Sequence, residues 1–163
     1  MASELGPILE ALYKGEREEA REQAASAESL NVFETAALGE TAGLGELLAG
    51  DAALARAWSP DGFTALHYAA FFGSPETVRV LVDAGADLEA RATNQEFAPQ
   101  ATPLHSAVAA GRMENAEALL EAGADPNARQ HAGFTPLMEA EHRGDLDLAE
   151  MLIRYGAYAG GGA

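Results

Sequence analysis

The four histidines of this chain, His67, His105, His131 and His142, are its best candidates for proton transfer or metal ligation. Either chemistry needs imidazoles that converge with carboxylates at a defined spacing. None of the four lies in a ligand pair such as H-E-x-x-H. His67 and His105 instead occupy the same place in two similar segments, which points to a repeated structural hydrogen bond. Glu141, His142 and Arg143 form the one locally dense polar cluster, and exposed capping residues explain it as well as a binding role does. Cysteine is absent, which excludes thiolate nucleophiles, thiolate metal ligands and disulfides. No G-x-S-x-G occurs, and Gly39-Glu-Thr-Ala-Gly-Leu-Gly45 follows a helical pattern rather than joining a strand to a helix. The sequence therefore offers no catalytic residue, no metal site and no cofactor site.

The elements that carry these histidines repeat. Thr64 to Gly73, running on to Leu81-Val-Asp-Ala-Gly-Ala-Asp87, recurs as Thr102 to Gly111 with Leu119 to Asp125, and again as Thr135 to Gly144 with Leu152 to Ala157. Counting from Gly15, Gly39, Gly73, Gly111 and Gly144, the residue seven positions earlier is Ile8, Val32, Leu66, Leu104 or Leu137. After the last four glycines come Leu44, Leu47 and Leu48; Val78, Leu81 and Val82; Ala116, Leu119 and Leu120; Ala149, Leu152 and Ile153. Their i, i+3, i+4 spacing is one face of an amphipathic helix. Each unit reads as two short helices, with Thr64, Thr102 and Thr135 as N-caps and the counting glycine free to take a positive φ at the end of the first helix. The second helices are expected to close at Gly85, Gly123 and Gly156.

The glycine spacings are 24, 34, 38 and 33 residues. The short first step predicts a truncated helical pair over residues 1–28 that caps a stack of four units, at about 29–58, 59–96, 97–129 and 130–157. Glu141 stands where earlier units carry Ala70 or Val108, as suits a closing unit with one solvent-facing side. Residues 158–163 read as a flexible tail. Glu10 with Lys14 and Glu150 with Arg154 are spaced as i, i+4 ion pairs.

Asp61-Gly-Phe-Thr-Ala-Leu-His-Tyr-Ala-Ala-Phe-Phe-Gly73, Leu81 to Ala90 and Thr102-Pro-Leu-His-Ser-Ala107 together resemble the ankyrin repeat, here of a bacterial type. The likeness runs from about residue 30 to 157 and is strongest from 59 onward. The unit at Leu30 to Asp51 lacks the threonine and histidine, and Met138 replaces the histidine of the last unit. The resemblance implies an all-α solenoid of helix-turn-helix repeats joined by β-hairpin loops. It also implies imidazoles that tie one unit to a neighbouring loop, and a concave groove that binds other proteins.

Residues just before each capping threonine and each counting glycine are expected to lie off the packed face. They are Asp61, Phe63, Phe71 and Phe72; Pro99, Ala101, Ala109 and Ala110; Ala132, Phe134, His142 and Arg143. Three phenylalanines so placed in one unit exceed what a solvated face requires, and removing Phe71 and Phe72 together is expected to spare the fold. The alternative is that Phe71 or Phe72 packs against the neighbouring alanine-rich helix. The five extra residues of the 38-residue step fall in the loop 91–100, where Phe97 makes a lengthened finger suited to touching a partner. The net charge of −16, from 26 acidic and 10 basic side chains, opposes nucleic acid and anionic lipid and suits a basic protein partner. The other function this charge permits is an acidic decoy that occupies a basic site on its target. Arginine outnumbers lysine nine to one, in keeping with a GC-rich bacterial gene. The start has no basic leader and no apolar run could cross a bilayer, so a cytoplasmic monomer is expected.

Overall fold

The computed structural model describes residues 5–159. Among the described residues ten α-helices follow one another: α1 (Pro7–Tyr13), α2 (Arg17–Ser26), α3 (Val32–Leu38), α4 (Thr41–Gly50), α5 (Ala65–Phe72), α6 (Pro75–Asp83), α7 (Pro103–Ala109), α8 (Met113–Glu121), α9 (Pro136–Arg143) and α10 (Leu146–Arg154). Each odd helix pairs with the even helix that follows it, and α3, α5, α7 and α9 pack side by side in chain order. The result is a helical solenoid with an inner row of short helices and an outer row of longer ones. No helix among the described residues is long and apolar enough to cross a membrane.

Local chemistry sets the helix starts. Asn31 accepts the N–H groups of Phe33 and Glu34, and the Glu34 carboxylate returns to the Asn31 N–H at 2.9 Å, a reciprocal cap. The Thr135 hydroxyl accepts the Met138 N–H at 3.2 Å, while Pro103 and Pro136 stand at first helical positions where no donor is missed. The connections between units are hairpin-shaped but reduced to their tips. Ser59 N–H donates to Phe63 O at 2.8 Å, Trp58 and Thr64 form an isolated bridge, and a 3₁₀ turn at His131–Gly133 sits inside the last hairpin. The longer loop closes where Ala92 exchanges bonds with Ala101 and Gln100 (2.8 and 3.0 Å), leaving Thr93 to Pro99 as its projecting part.

Leu66, Leu104 and Leu137 fill the space between the inner and outer rows together with Val78, Leu81, Leu119, Leu148 and Leu152. Where neighbouring inner helices meet, buried alanines recur: Ala36, Ala69, Ala70, Ala107 and Ala140 let backbones approach closely. Asn115, itself buried, donates from α8 to the α5 carbonyls of Ala69 and Ala70 at 3.2 and 3.0 Å, adding a second donor to Ala69 O, which already takes the Gly73 N–H, and serving Ala70 O at the helix end. The expected i, i+4 ion pairs at Glu10 and Glu150 do not close. Among the described residues the ion pairs join Arg79 to Glu76 and to Glu121 at 3.9 Å, because exposed pairs gain too little to fix two long side chains.

One counting glycine departs from expectation. Gly15, Gly39, Gly111 and Gly144 take the positive φ, but Gly73 has φ −84° and ψ −145°. What Gly73 supplies is room: a Cβ there would stand 2.4 Å from Ala36 O and 2.8 Å from Ala69 O. Gly73→Ala should therefore cost about 3 kcal/mol or more, as backbone must move. Gly85→Ala faces open space at φ +93° and should cost only roughly 1–2 kcal/mol for the left-handed strain. Urea unfolding of both variants checks the ranking, and equal losses would contradict the close-approach account.

Candidate functional site

On each inner helix the residues five and two positions before the counting glycine are one helical turn apart and point the same way. Tyr68 and Phe71 on α5, Ser106 and Ala109 on α7, Glu139 on α9 and Tyr13 on α1 occupy these positions, and all of them line one concave cavity of about 660 Å³. The hairpins supply its other wall through Asp61, Phe63, Asn94, Phe97, Ala98 and Gln130. The cavity wall is thus a helical stripe faced by a row of fingers.

One end of the groove is aromatic. Tyr13 meets Phe72 edge-on with centroids 5.3 Å apart, Phe71 meets Phe72 at 4.6 Å, and Tyr68 contacts Phe33 and Phe63 at 5.8 and 6.2 Å. Beneath these rings the Asp61 carboxylate collects three hydroxyls. Tyr13 donates to Oδ2 at 2.8 Å, Tyr68 to Oδ1 at 2.5 Å, and Ser59 also to Oδ1. Burial, reinforced by that carboxylate, pushes both phenols well above the usual tyrosine range, so they remain donors. Asn94 orders the long finger: its Oδ1 accepts from Glu96 and Phe97, and its Nδ2 donates to Asp61 O at 2.8 Å. Ala98 and Gln100 take positive φ (48° and 61°), a conformation that the surrounding bonds hold in place.

Of the residues singled out by sequence, Asp61, Phe63, Phe71, Phe72, Phe97 and Ala109 come together around the groove. Phe71 is 36% exposed and Phe97 69%. Two placements off the packed face are overturned. Phe72 is only 7% exposed, because Tyr13 lies across it and Arg17 donates to its carbonyl at 2.9 Å. Ala101 is 1% exposed, since its carbonyl takes both the Ala92 N–H and the His67 ring and draws it under the finger. Truncating Phe72 would therefore open a hole and cost about 3–5 kcal/mol, so Phe71 and Phe72 together cannot serve as a harmless double variant. Ala110, Phe134, His142 and Arg143 lie outside the groove lining; Phe134, His142 and Arg143 are exposed, and the Arg143 guanidinium donates to Ala109 O at 2.6 Å. Glu141 is exposed where Ala70 and Val108 are buried. Of the tail 158–163, residues 160–163 lie outside the described residues, as does the leader reading for residues 1–4.

Sequence reasoning passed over Tyr13, Tyr68, Ser106 and Glu139. Tyr13 stands two positions before Gly15 just as Phe71 stands before Gly73, so the same rule extended to the first helix pair finds it. Stepping back one more turn finds the other three.

His67 and His105 line the deep side of the groove. His67 Nδ1 accepts the Thr64 N–H at 3.2 Å while Nε2 faces Ala101 O at 2.9 Å; in His105 the partners are Thr102 N–H at 3.2 Å and Phe134 O at 3.1 Å. A carbonyl partner assigns the proton to Nε2, so Nδ1 holds the ring to its own helix start while Nε2 clasps the unit to the next hairpin. Among the described residues no three histidines, aspartates or glutamates are placed to hold a metal ion.

A model of ankyrin repeats in three copies matches residues 1–92, 22–130 and 91–160. The chain belongs to the ankyrin repeat family. No curated protein matches it. Ankyrin repeats are protein-interaction modules, in general without catalytic activity, and here the aromatic groove is the surface whose chemistry stands apart from the rest of the stack.

Burial lowers both clasping histidines from 6.5 to about 4. The unfolded chain thus takes up protons first as pH falls. The clasps' contribution is present above about pH 6.5 and is lost progressively toward pH 4. Urea unfolding at pH 7, 6 and 5 should show His105→Gln less stable at pH 7 but with a shallower pH slope, by up to about 1.4 kcal/mol per unit. Parallel slopes would exclude a neutral, buried imidazole.

Proposed function

We propose that this ankyrin repeat chain is a non-catalytic adaptor or regulatory subunit, a cytoplasmic monomer that holds a protein partner against the aromatic end of its groove. The observation that carries this reading is the exposure of Phe71 and Phe97 beside Phe63 and Tyr68, in a cavity that, among the described residues, no arginine or lysine lines. Exposed apolar side chains gathered in a preformed concavity offer a partner desolvation without much reordering, and one aromatic anchor can contribute about 2 kcal/mol or more. The partner is expected to be basic, since the chain carries −16 and its field speeds encounter with positive surfaces.

The acidic-decoy reading makes the opposite demand: binding by field alone, indifferent to the phenylalanines. Phe71→Ala with Phe97→Ala separates the two, as both rings are exposed and their removal should leave the melting temperature within a few degrees. Affinity capture from an extract of the source cells, quantified by mass spectrometry, should lose at least one partner on this double variant while retaining it in 0.3 M salt. Capture that ignores the two rings and vanishes with salt would establish the decoy instead.

A further inference from the structure

The groove has two unlike ends and a bare middle. Its α5 end is aromatic, its α7 section presents Ser106 and Ala109 with the engaged His105 ring at its deep side, and its α9 end presents Glu139. The two acidic groups of the lining differ in availability. Asp61 is taken up by the hydroxyls of Tyr13, Tyr68 and Ser59, whereas the Glu139 carboxylate has no hydrogen bond and no ion pair among the described residues. Ser106 is 8% exposed, and its hydroxyl faces the groove without a partner. That hydroxyl is open to the groove, since among the described residues no buried side-chain polar atom lacks a partner, and it is free to donate to a chain laid across α7.

Resting on the groove reading above, we propose that the occupant is a polypeptide segment with a large apolar side chain and an arginine or lysine held at a fixed separation. The apolar side chain seats beside Tyr68, Phe71 and Phe97, the backbone crosses Ser106 and accepts its hydroxyl, and the cation pairs with Glu139. Neighbouring inner helices stand about 8–10 Å apart, so two steps from α5 to α9 span roughly 16–20 Å. An extended segment covers that span in about five or six residues. A helical segment needs about 11–13. The absence of any bulky side chain at Ser106 and Ala109 leaves room for the chain between its two anchors. Arginine suits the acidic end better than lysine, because its planar fork can meet a carboxylate through two bonds.

The probe is a phage-displayed library of random 16-residue peptides, selected in parallel on the full wild-type chain and on its Glu139→Gln, Glu139→Lys and Phe71→Ala variants. Wild-type selections should share an aromatic or large aliphatic residue and an arginine or lysine at one of the two spacings. Glu139→Gln, which keeps the side chain's shape, should weaken those peptides about fivefold, the size of a half-exposed ion pair, and erase the basic preference. Glu139→Lys should replace it with aspartate or glutamate; should that variant fail to fold by circular dichroism, Glu139→Gln carries the test alone. A basic preference that survives Glu139→Gln, or peptides without fixed spacing that still need Phe71, would overturn the register and leave the groove intact. Selection of no peptide sensitive to Phe71→Ala would overturn both.

Discussion

Each buried imidazole joins two repeats through a single ring. A helix pair of seven to ten residues per helix cannot cover its own apolar face, so the stack holds only if neighbouring units are fixed at close range. The His67 and His105 rings do this by accepting from a threonine N–H in their own unit and donating to a carbonyl at the base of the next hairpin. Because the acceptor belongs to the hairpin, the clasp sets the angle of the finger as well as the pitch of the helices. The groove is therefore bounded on one side by helices and on the other by fingers held from within the core.

Small residues complete that constraint. Ala36, Ala69 and Ala70 with Gly73 bring α3 and α5 together until a carbonyl of one occupies the space a side chain would need on the other. Such packing leaves little volume at those contacts, and apart from the buried Tyr68 and Phe72 of α5 the large rings near the inner row lie toward the groove. Tyr13 and Phe71 from the helices and Phe63 and Phe97 from the fingers are the rings that face it. An aromatic groove and an alanine-rich spine are two results of one economy of space.

The fold was legible because its determinants are periodic: glycine spacing, capping threonines and the i, i+3, i+4 leucines each recur and each has one local cause. The groove was legible only where it follows the same period. Phe71 could be placed because it stands two before a glycine; Phe72, one residue on, is turned by a further 100° and meets Tyr13 from another unit, a contact no local pattern announces. Ala101 went astray for a similar reason, since its burial comes from the finger that folds over it. The Asp61 network was out of reach altogether. It joins residues 13, 59, 61 and 68 by tertiary approach, and Asp61 and Tyr68 taken singly look like a loop acid and a core aromatic.

The bond from Tyr13 to Asp61 spans 48 residues and that from Arg17 to Phe72 spans 55, so the first helix pair reaches past α3 and α4 to the unit beyond. In a solenoid coupled only through adjacent units, fraying can begin at either end and proceed one unit at a time. Here the first pair, the unit it passes over and the unit it reaches are laced into one block. Opening from the N-terminal side requires all three to come apart together, while among the described residues the α9–α10 end has no such bypass. Cooperativity is thus unevenly distributed along the stack, and the end that carries the aromatic surface is the end least free to open.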